Sequence, residues 1–360
     1  MKIKEVEPFK RDKGFLDRYL KNSNNQYIYG CTKEATDLLK VLPCNFIIDD
    51  FSEEIEFCGK PIVKIDEVPL NASVISAVTH RPITIHNKLE NLGIDHTSYY
   101  FLLYNENLNL PTIRYWEEAK GHFNDNISRY ENLFNNLIDE VSKNTLEDII
   151  SFRETGNLAI MKNYKTRFDE MYFEDFIKLK ENANFYDIGV LDGFNSDVFI
   201  KKYNYGEILM IEPMPSSYKA LLQKYSKNNR IKISQCAVSN NTGEAEFFIN
   251  IEDPSQASLI NSLTANKIKI RLETIDQLYE KSKIKPDFIK MDIEGAEIKA
   301  LMGALNVIKI IKPALAISVY HDTNHILEAF ELLQKSTPEY KFYMRHYTEG
   351  YTETVLFATI

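Results

Sequence analysis

The run Phe185-Tyr186-Asp187-Ile188-Gly189-Val190-Leu191-Asp192-Gly193-Phe194-Asn195-Ser196 constrains the fold more than any other stretch. It begins as a short apolar strand, turns through two glycines, and passes into a helical pattern led by Val198, Phe199 and Ile200. A buried parallel strand feeding a glycine turn and a helix reads this way. Glycine lets the backbone take positive φ and lets a ligand approach closely, and the next helix points free N–H groups into the turn. The next strand, Ile208 to Ile211, ends at Glu212, which Pro213 follows. Glu212 lies about twenty residues beyond Gly189, where nucleotide-binding α/β folds carry an acid for ribose hydroxyls.

Further strands are predicted at Ile231–Val238, Pro286–Asp292, Pro313–Tyr320, Lys341–Arg345 and Thr354–Ala358, with helices between them. Asn240-Asn241-Thr242-Gly243 reads as the turn of a hairpin returning along Ala245–Ile249. Asp253 to Asn266 reads as a loop, and Thr274 as the N-cap of the helix that follows. Strand–helix alternation that closes on a strand–turn–strand pair predicts an α/β, doubly wound sheet with an antiparallel last strand.

Three segments are expected. Residues 1–110 contain a second strand–glycine–helix–strand–acid unit, Gln26 to Asp50 with Gly30 as its single glycine. It reads as a smaller Rossmann-like α/β module, serving either packing and dimerisation or nucleotide-sugar binding. Residues 111–170 carry apolar residues at three- and four-residue steps and read as a helical connector. Residues 171–360 form the main domain.

Lys and Arg number 43 against 52 Asp and Glu, a net charge of −9. That balance argues against a nucleic-acid surface. Cys31, Cys44, Cys58 and Cys236 form no C-x-x-C pair, so reduced thiols are expected. No apolar run reaches the roughly 18 residues of a membrane span, and a cytoplasmic protein is expected.

Ligands of an open parallel sheet lie outside the carboxyl ends of its strands. Those ends carry Gly189 and Asp192, Glu212, Ala237, Asp292 and Glu294, Tyr320 and His321, and Arg345 and His346. The combination resembles the FkbM-type family of S-adenosylmethionine-dependent methyltransferases. The resemblance rests on Asp187-Ile188-Gly189 with Gly193, Ile211-Glu212-Pro213, Ala237-Val238-Ser239-Asn240, Thr274 to Leu278, Tyr320-His321, and above all Lys290-Met291-Asp292-Ile293-Glu294-Gly295-Ala296-Glu297. Where one common variant has Ala-Asn after the first glycine, Val190 and Leu191 stand here.

The resemblance implies a class I methyltransferase sheet of seven strands and S-adenosyl-L-methionine as cofactor. Asp187, Gly189, Asp192, Gly193, Ser196, Glu212, Pro213, Ala237 and Asp292 are the expected cofactor contacts. The expected reaction is O-methylation of a sugar or nucleotide-sugar hydroxyl in surface-polysaccharide or glycan biosynthesis, by a chain that could form a homodimer. His321 suits a general base, and its alternative is a packed histidine. Asp292 and Glu294 complete the catalytic group. Asp292 could orient the base, accept the proton, hold a divalent cation with Glu294, or cap the next helix. Tyr320, Arg345 and His346 are the expected acceptor contacts. A dinucleotide-dependent oxidoreductase and a non-catalytic nucleotide-sugar-binding protein are the rival readings.

Overall fold

The computed structural model describes residues 1–249 and 266–360. The loop expected from Asp253 lies outside the described residues, except that Asn266 opens a strand. The chain divides into two units. The first holds residues 1–127, 144–166 and 346–352, and the second holds 128–143, 167–345 and 353–360. Residues 111–170 contain the helices Ile127–Asn136 and Glu140–Thr155 and fall partly in each unit.

The first unit is a six-stranded sheet of β1 (Gln26–Tyr29), β2 (Phe46–Ile48), β3 (Glu56–Phe57), β4 (Lys60–Val63), β5 (Ser73–Ser76) and β6 (Asp95–Ser98). Its order is β3-β4-β2-β1-β5-β6, and all neighbours are parallel except β3 and β4. Strands β1 and β5 are buried along their whole length, as their apolar runs require. Asp49, at the end of β2, accepts N–H bonds from Cys31 (3.1 Å), Phe51 (2.9 Å) and Ser52 (2.9 Å). Its carboxylate therefore builds the turn.

A late segment of the chain completes this unit. Glu349 accepts hydrogen bonds from the Thr84 amide (2.7 Å) and hydroxyl (2.6 Å) in the first turn of the helix Pro82–Asn91. An acid there satisfies orphan N–H groups and meets the positive end of the helix dipole. Gly350 packs on the Thr79 carbonyl so tightly that a Cβ would sit 2.2 Å from its oxygen.

Asp12 is buried in the same unit and accepts a 2.6 Å bond from the Thr97 hydroxyl. Burial lifts its carboxyl from an ordinary 3.8 to about 6. The folded state then binds the proton more tightly than the unfolded chain. Stability is gained as pH falls through 6 toward 4, and about 3 kcal/mol is forgone once both states are ionised. Asp12→Asn should therefore raise stability by up to about 3 kcal/mol at pH 8, with the gap closing near pH 4. Urea titrations of both proteins at the two pH values check this. An equal gap at both would contradict it.

The second unit contains β7 (Ala183–Ile188), β8 (Tyr205–Ile211), β9 (Ile231–Ser234), β10 (Ala237–Val238), β11 (Gly243–Ile249), β12 (Asn266–Glu273), β13 (Phe288–Met291), β14 (Ala314–Ser318), β15 (Lys341–His346, whose last residue falls in the first unit) and β16 (Thr354–Thr359). Seven of them form one sheet in the order β15-β16-β14-β13-β7-β8-β9. Strands β14, β13, β7, β8 and β9 run parallel, and β16 runs antiparallel to β14. Its centre is apolar: Phe185, Phe199 and Phe288 stack at 4.3 to 6.4 Å between ring centroids. Thr274 caps its helix as expected, accepting from the Gln277 amide at 3.1 Å.

One pairing differs from expectation. The single strand predicted over Ile231–Val238 breaks after Ser234, and β11 does not return along it. Instead β11 pairs antiparallel with β12, and β10 pairs parallel with β12, in a separate three-stranded sheet. Phe247, Ile270, Leu272 and Ala237 make the buried face of that small sheet, which rewards the longer-range pairing. Among the described residues, no helix is long and apolar enough to cross a membrane.

Candidate active site

The glycine turn after β7 is braced from below. Gly189 has φ +80°, and a Cβ there would lie 1.8 Å from the Asp292 carbonyl oxygen, so only glycine fits. Lys290 on β13 is buried and gives Nζ to the Gly189 carbonyl at 2.5 Å. The same ammonium lies 3.3 Å from Asp187 Oδ1, and the Ser196 hydroxyl donates to Asp187 Oδ2 at 2.6 Å. Burial pushes the Asp187 carboxyl up, and Lys290 pulls it back. Asp187 and Ser196 thus tie strand, turn and helix together beneath the turn.

Glu212 closes the next strand end. Its carboxylate accepts from the Leu191 amide at 2.9 Å and the Met214 amide at 2.8 Å. Burial raises its pKa against those two bonds. The side chain is locked, with its acidic end on the wall of the neighbouring cavity.

That cavity holds about 590 Å³. Gly189, Asp192, Glu212, Pro213, Ala237, Asp292, Glu294 and Tyr320 all line it, as do Lys290 and Glu353. Met171, Met214, Val238 and Phe247 supply apolar wall. Asp187, Gly193, Ser196 and His321 are not on the wall. Arg345 and His346, expected as acceptor contacts, do not reach it. Arg345 is committed elsewhere: Nη2 lies 2.8 Å from Asp139 Oδ2, Nη1 bonds Ser142 Oγ at 2.8 Å, and Nε lies 3.7 Å from Glu174. His346 belongs to the first unit, where its ring stands edge-on to Tyr164.

The polar end of the cavity is built on the turn after β13. Glu294 takes φ +55° and Gly295 φ +100°. A non-glycine residue in that region is uncommon, and such backbone clusters at functional sites. The turn is held by Glu297, whose Oε1 accepts from the Ile293 amide at 2.8 Å. Asp292 does not cap the following helix; its Oδ2 accepts from the Tyr172 hydroxyl at 2.8 Å. His321, fully buried, sets Nδ1 3.0 Å from Glu297 Oε1 and Nε2 3.6 Å from Asp292 Oδ1 and 3.8 Å from Glu294 Oε1. Burial alone would lower the imidazole pKa, but Glu297 and Glu294 overcome it and hold it well above the ordinary value. Glu297 is the counterpart: burial would raise it, yet His321 draws it down to about 2. Glu353, the residue just before β16, is pushed up to about 8 by burial and by the charge of Asp292.

Tyr172 and Glu353 were not singled out by sequence for this site, and Glu297 only as the last residue of the Lys290–Glu297 motif. Glu353 carried a usable signal. An antiparallel last strand begins where its parallel neighbours end, so its first residues must lie at the ligand edge.

Residues 187–347 match the family model described as the methyltransferase FkbM domain. The FkbM methyltransferase resemblance thus holds over residues 187–347. That family transfers methyl groups from S-adenosylmethionine, so the dinucleotide-oxidoreductase reading is set aside. A crystal structure of methyltransferase FkbM from Methylobacillus flagellatus KT is similar over 98% of this chain and 100% of its own, at 22% identity and a TM-score of 0.68. That likeness shows a shared fold across both units. Precorrin-6y C5,15-methyltransferase from Geobacter metallireducens aligns over 55% of this chain and 94% of its own, at 9% identity and a TM-score of 0.33. The O-methyltransferase from Bacillus cereus in complex with SAH aligns over 49% and 74%, at 12% identity and a TM-score of 0.32. No curated protein matches the sequence significantly. The matched stretch contains most of the cavity lining, from Ile188 to Tyr320, while Phe168, Met171 and Glu353 line it from outside that stretch.

Proposed function

We propose that this protein is an O-methyltransferase whose 590 Å³ cavity takes S-adenosylmethionine and delivers its methyl group to a hydroxyl of a sugar or nucleotide-linked sugar, in cytoplasmic glycan biosynthesis. One observation carries the reading. A locked acid, Glu212, and an acidic cluster at Asp292 line one cavity on either side of the glycine turn.

The donor set fits the cofactor. Gly189 to Asp192 of the turn line the cavity, and the carboxylate of Glu212 has acceptor capacity left for the ribose diol. Met214, Val238 and Phe247 suit an adenine ring, and Asp292 with Glu294 suits a cationic group. The cofactor, when bound, supplies an electrophilic methyl on a sulfonium.

The chain's own work is alignment and proton handling. Asp292 is on the cavity wall and is held by Tyr172, so it is the group placed to accept the acceptor's proton. Glu294 keeps that end of the cavity negative. His321 stands behind Asp292, off the wall, and positions the cluster against Glu297 rather than meeting the acceptor.

Glu212→Ala should weaken S-adenosylmethionine binding about 10- to 100-fold, the loss of one or two charge-assisted hydrogen bonds. Calorimetry with cofactor alone measures it. Unchanged affinity would remove the placement of the ribose. The acceptor class is tested with methyl-labelled cofactor and a panel of nucleotide sugars. Labelled product at a hydroxyl supports the reading, and label on nitrogen or carbon only would overturn it.

A further inference from the structure

We propose that Glu353 is a specificity-determining residue for the acceptor: its Oε2 donates a hydrogen bond to a second oxygen of that molecule, next to the hydroxyl that takes the methyl group. The acceptor class is thereby narrowed to hydroxyl compounds with an oxygen on the neighbouring carbon, as the vicinal diol of a sugar has. This role rests on the hydroxyl transfer proposed above.

Position is the first support. Glu353 lines the cavity together with Asp292, Glu294 and Tyr320. Asp292 is the charged group that acts on it most strongly, so the two carboxyls are neighbours. Its backbone takes φ +68°, a left-handed conformation that a non-glycine residue keeps only where its surroundings hold it. Such residues cluster at ligand-binding sites.

The second support is an unanswered polar atom. Oε1 accepts from the Tyr320 hydroxyl at 3.3 Å, whereas Oε2 is buried with no hydrogen-bond partner among the described residues. Buried polar atoms are nearly always paired. On a cavity wall, the occupant of the cavity can supply the missing partner.

The third support is protonation. Burial, and then the charges of Asp292 and Glu294, keep the proton on Glu353 up to about 8, although His321 and the Tyr320 hydroxyl act the other way. At neutral pH the group is a neutral acid. With Oε1 taken by Tyr320, the proton lies on Oε2, which then seeks an acceptor oxygen. Asp292, on the same wall, takes the acceptor's proton, so the two carboxyls divide acceptance and donation between them. A bond donated to the reacting oxygen itself would hold back the electron pair that attacks the methyl carbon. The bond is productive only on an oxygen beside it.

The test uses the full chain, methyl-labelled cofactor, and the nucleotide sugar that takes label in the panel above. Its analogue lacking the hydroxyl next to the methylated one is run in parallel. The parent should use the analogue about 10- to 100-fold less well in kcat/KM, the worth of one buried hydrogen bond. Glu353→Leu should raise the KM of the full sugar by a similar factor, move kcat less, and no longer tell the two sugars apart. Glu353→Gln keeps a donor and should raise KM less. The parent's KM should climb as pH passes about 8, because ionised Glu353 has no proton to donate, and the Gln variant should lose that climb. Calorimetry with S-adenosylhomocysteine shows that each variant is folded with its cofactor site intact. Leu and parent proteins that discriminate equally, or a Gln variant that keeps the climb, overturn the role of Glu353 and leave methyl transfer standing. Absence of label at any hydroxyl in the panel removes the transfer reading, and this role with it.

Discussion

Asp292→Asn should lower the turnover of methyl transfer by ~10²–10⁴-fold, the range that general-base groups supply. The substitution keeps the size of the side chain and keeps an oxygen for the Tyr172 hydroxyl, which now reaches Oδ2 at 2.8 Å. It removes the negative charge that would take the acceptor's proton. Cofactor affinity should fall far less, because Glu212 and the glycine turn lie at the other strand ends. The contrast between the two losses is the informative quantity. A variant with unchanged turnover would remove Asp292 from the chemistry. A variant that loses cofactor and turnover equally would make it a binding residue instead. Tyr172→Phe should give a smaller fall in turnover with the same cofactor affinity, since it loosens the carboxylate without discharging it.

Lys290→Met should cost the second unit about 3–5 kcal/mol, the loss seen when one partner of a buried ion pair is removed. Lys290 and Asp187 are 1% and 0% exposed, so neither side chain can turn to water. Without the ammonium, Asp187 keeps only the Ser196 hydroxyl, and the Gly189 carbonyl loses its bond to Nζ. Denaturant unfolding of the full chain would show the loss in the transition of the second unit. Adding Asp187→Asn should recover a large part of it, because the stranded charge is then gone. Equal stability of the single and double variants would mean that the pair is not the source of the cost.

Gly189, Glu212 and Asp292, which line the cavity, share one property. Each sits at the end of a short apolar run, and a parallel strand's end is fixed by where its apolar run stops. Asp187 was expected to touch the cofactor, but its side chain faces Lys290 and is not on the cavity wall. A one-residue change along a strand reverses the facing side, and the sequence pattern does not resolve that for a strand buried on both faces. Arg345 went astray for a related reason. It is near a strand end, but Asp139 and Glu174, far away in sequence, claim its guanidinium. Tyr172 illustrates the same limit, since it meets Asp292 across 120 residues with no local pattern to announce it. The split of β9 from β10 escaped because no glycine or proline breaks Ile231 to Val238 and their separation depends on β12 as a distant partner.

Glu349 and Gly350 belong to the first unit although most of the second unit precedes them in the chain. A chain emerging from the ribosome ordinarily completes its leading domain first. Here the helix Pro82–Asn91 waits for its acidic cap, and the Thr79 carbonyl for its glycine, until most of the second unit has been made. The leading half is therefore no autonomous module that could be cut out at residue 127 and moved to another protein.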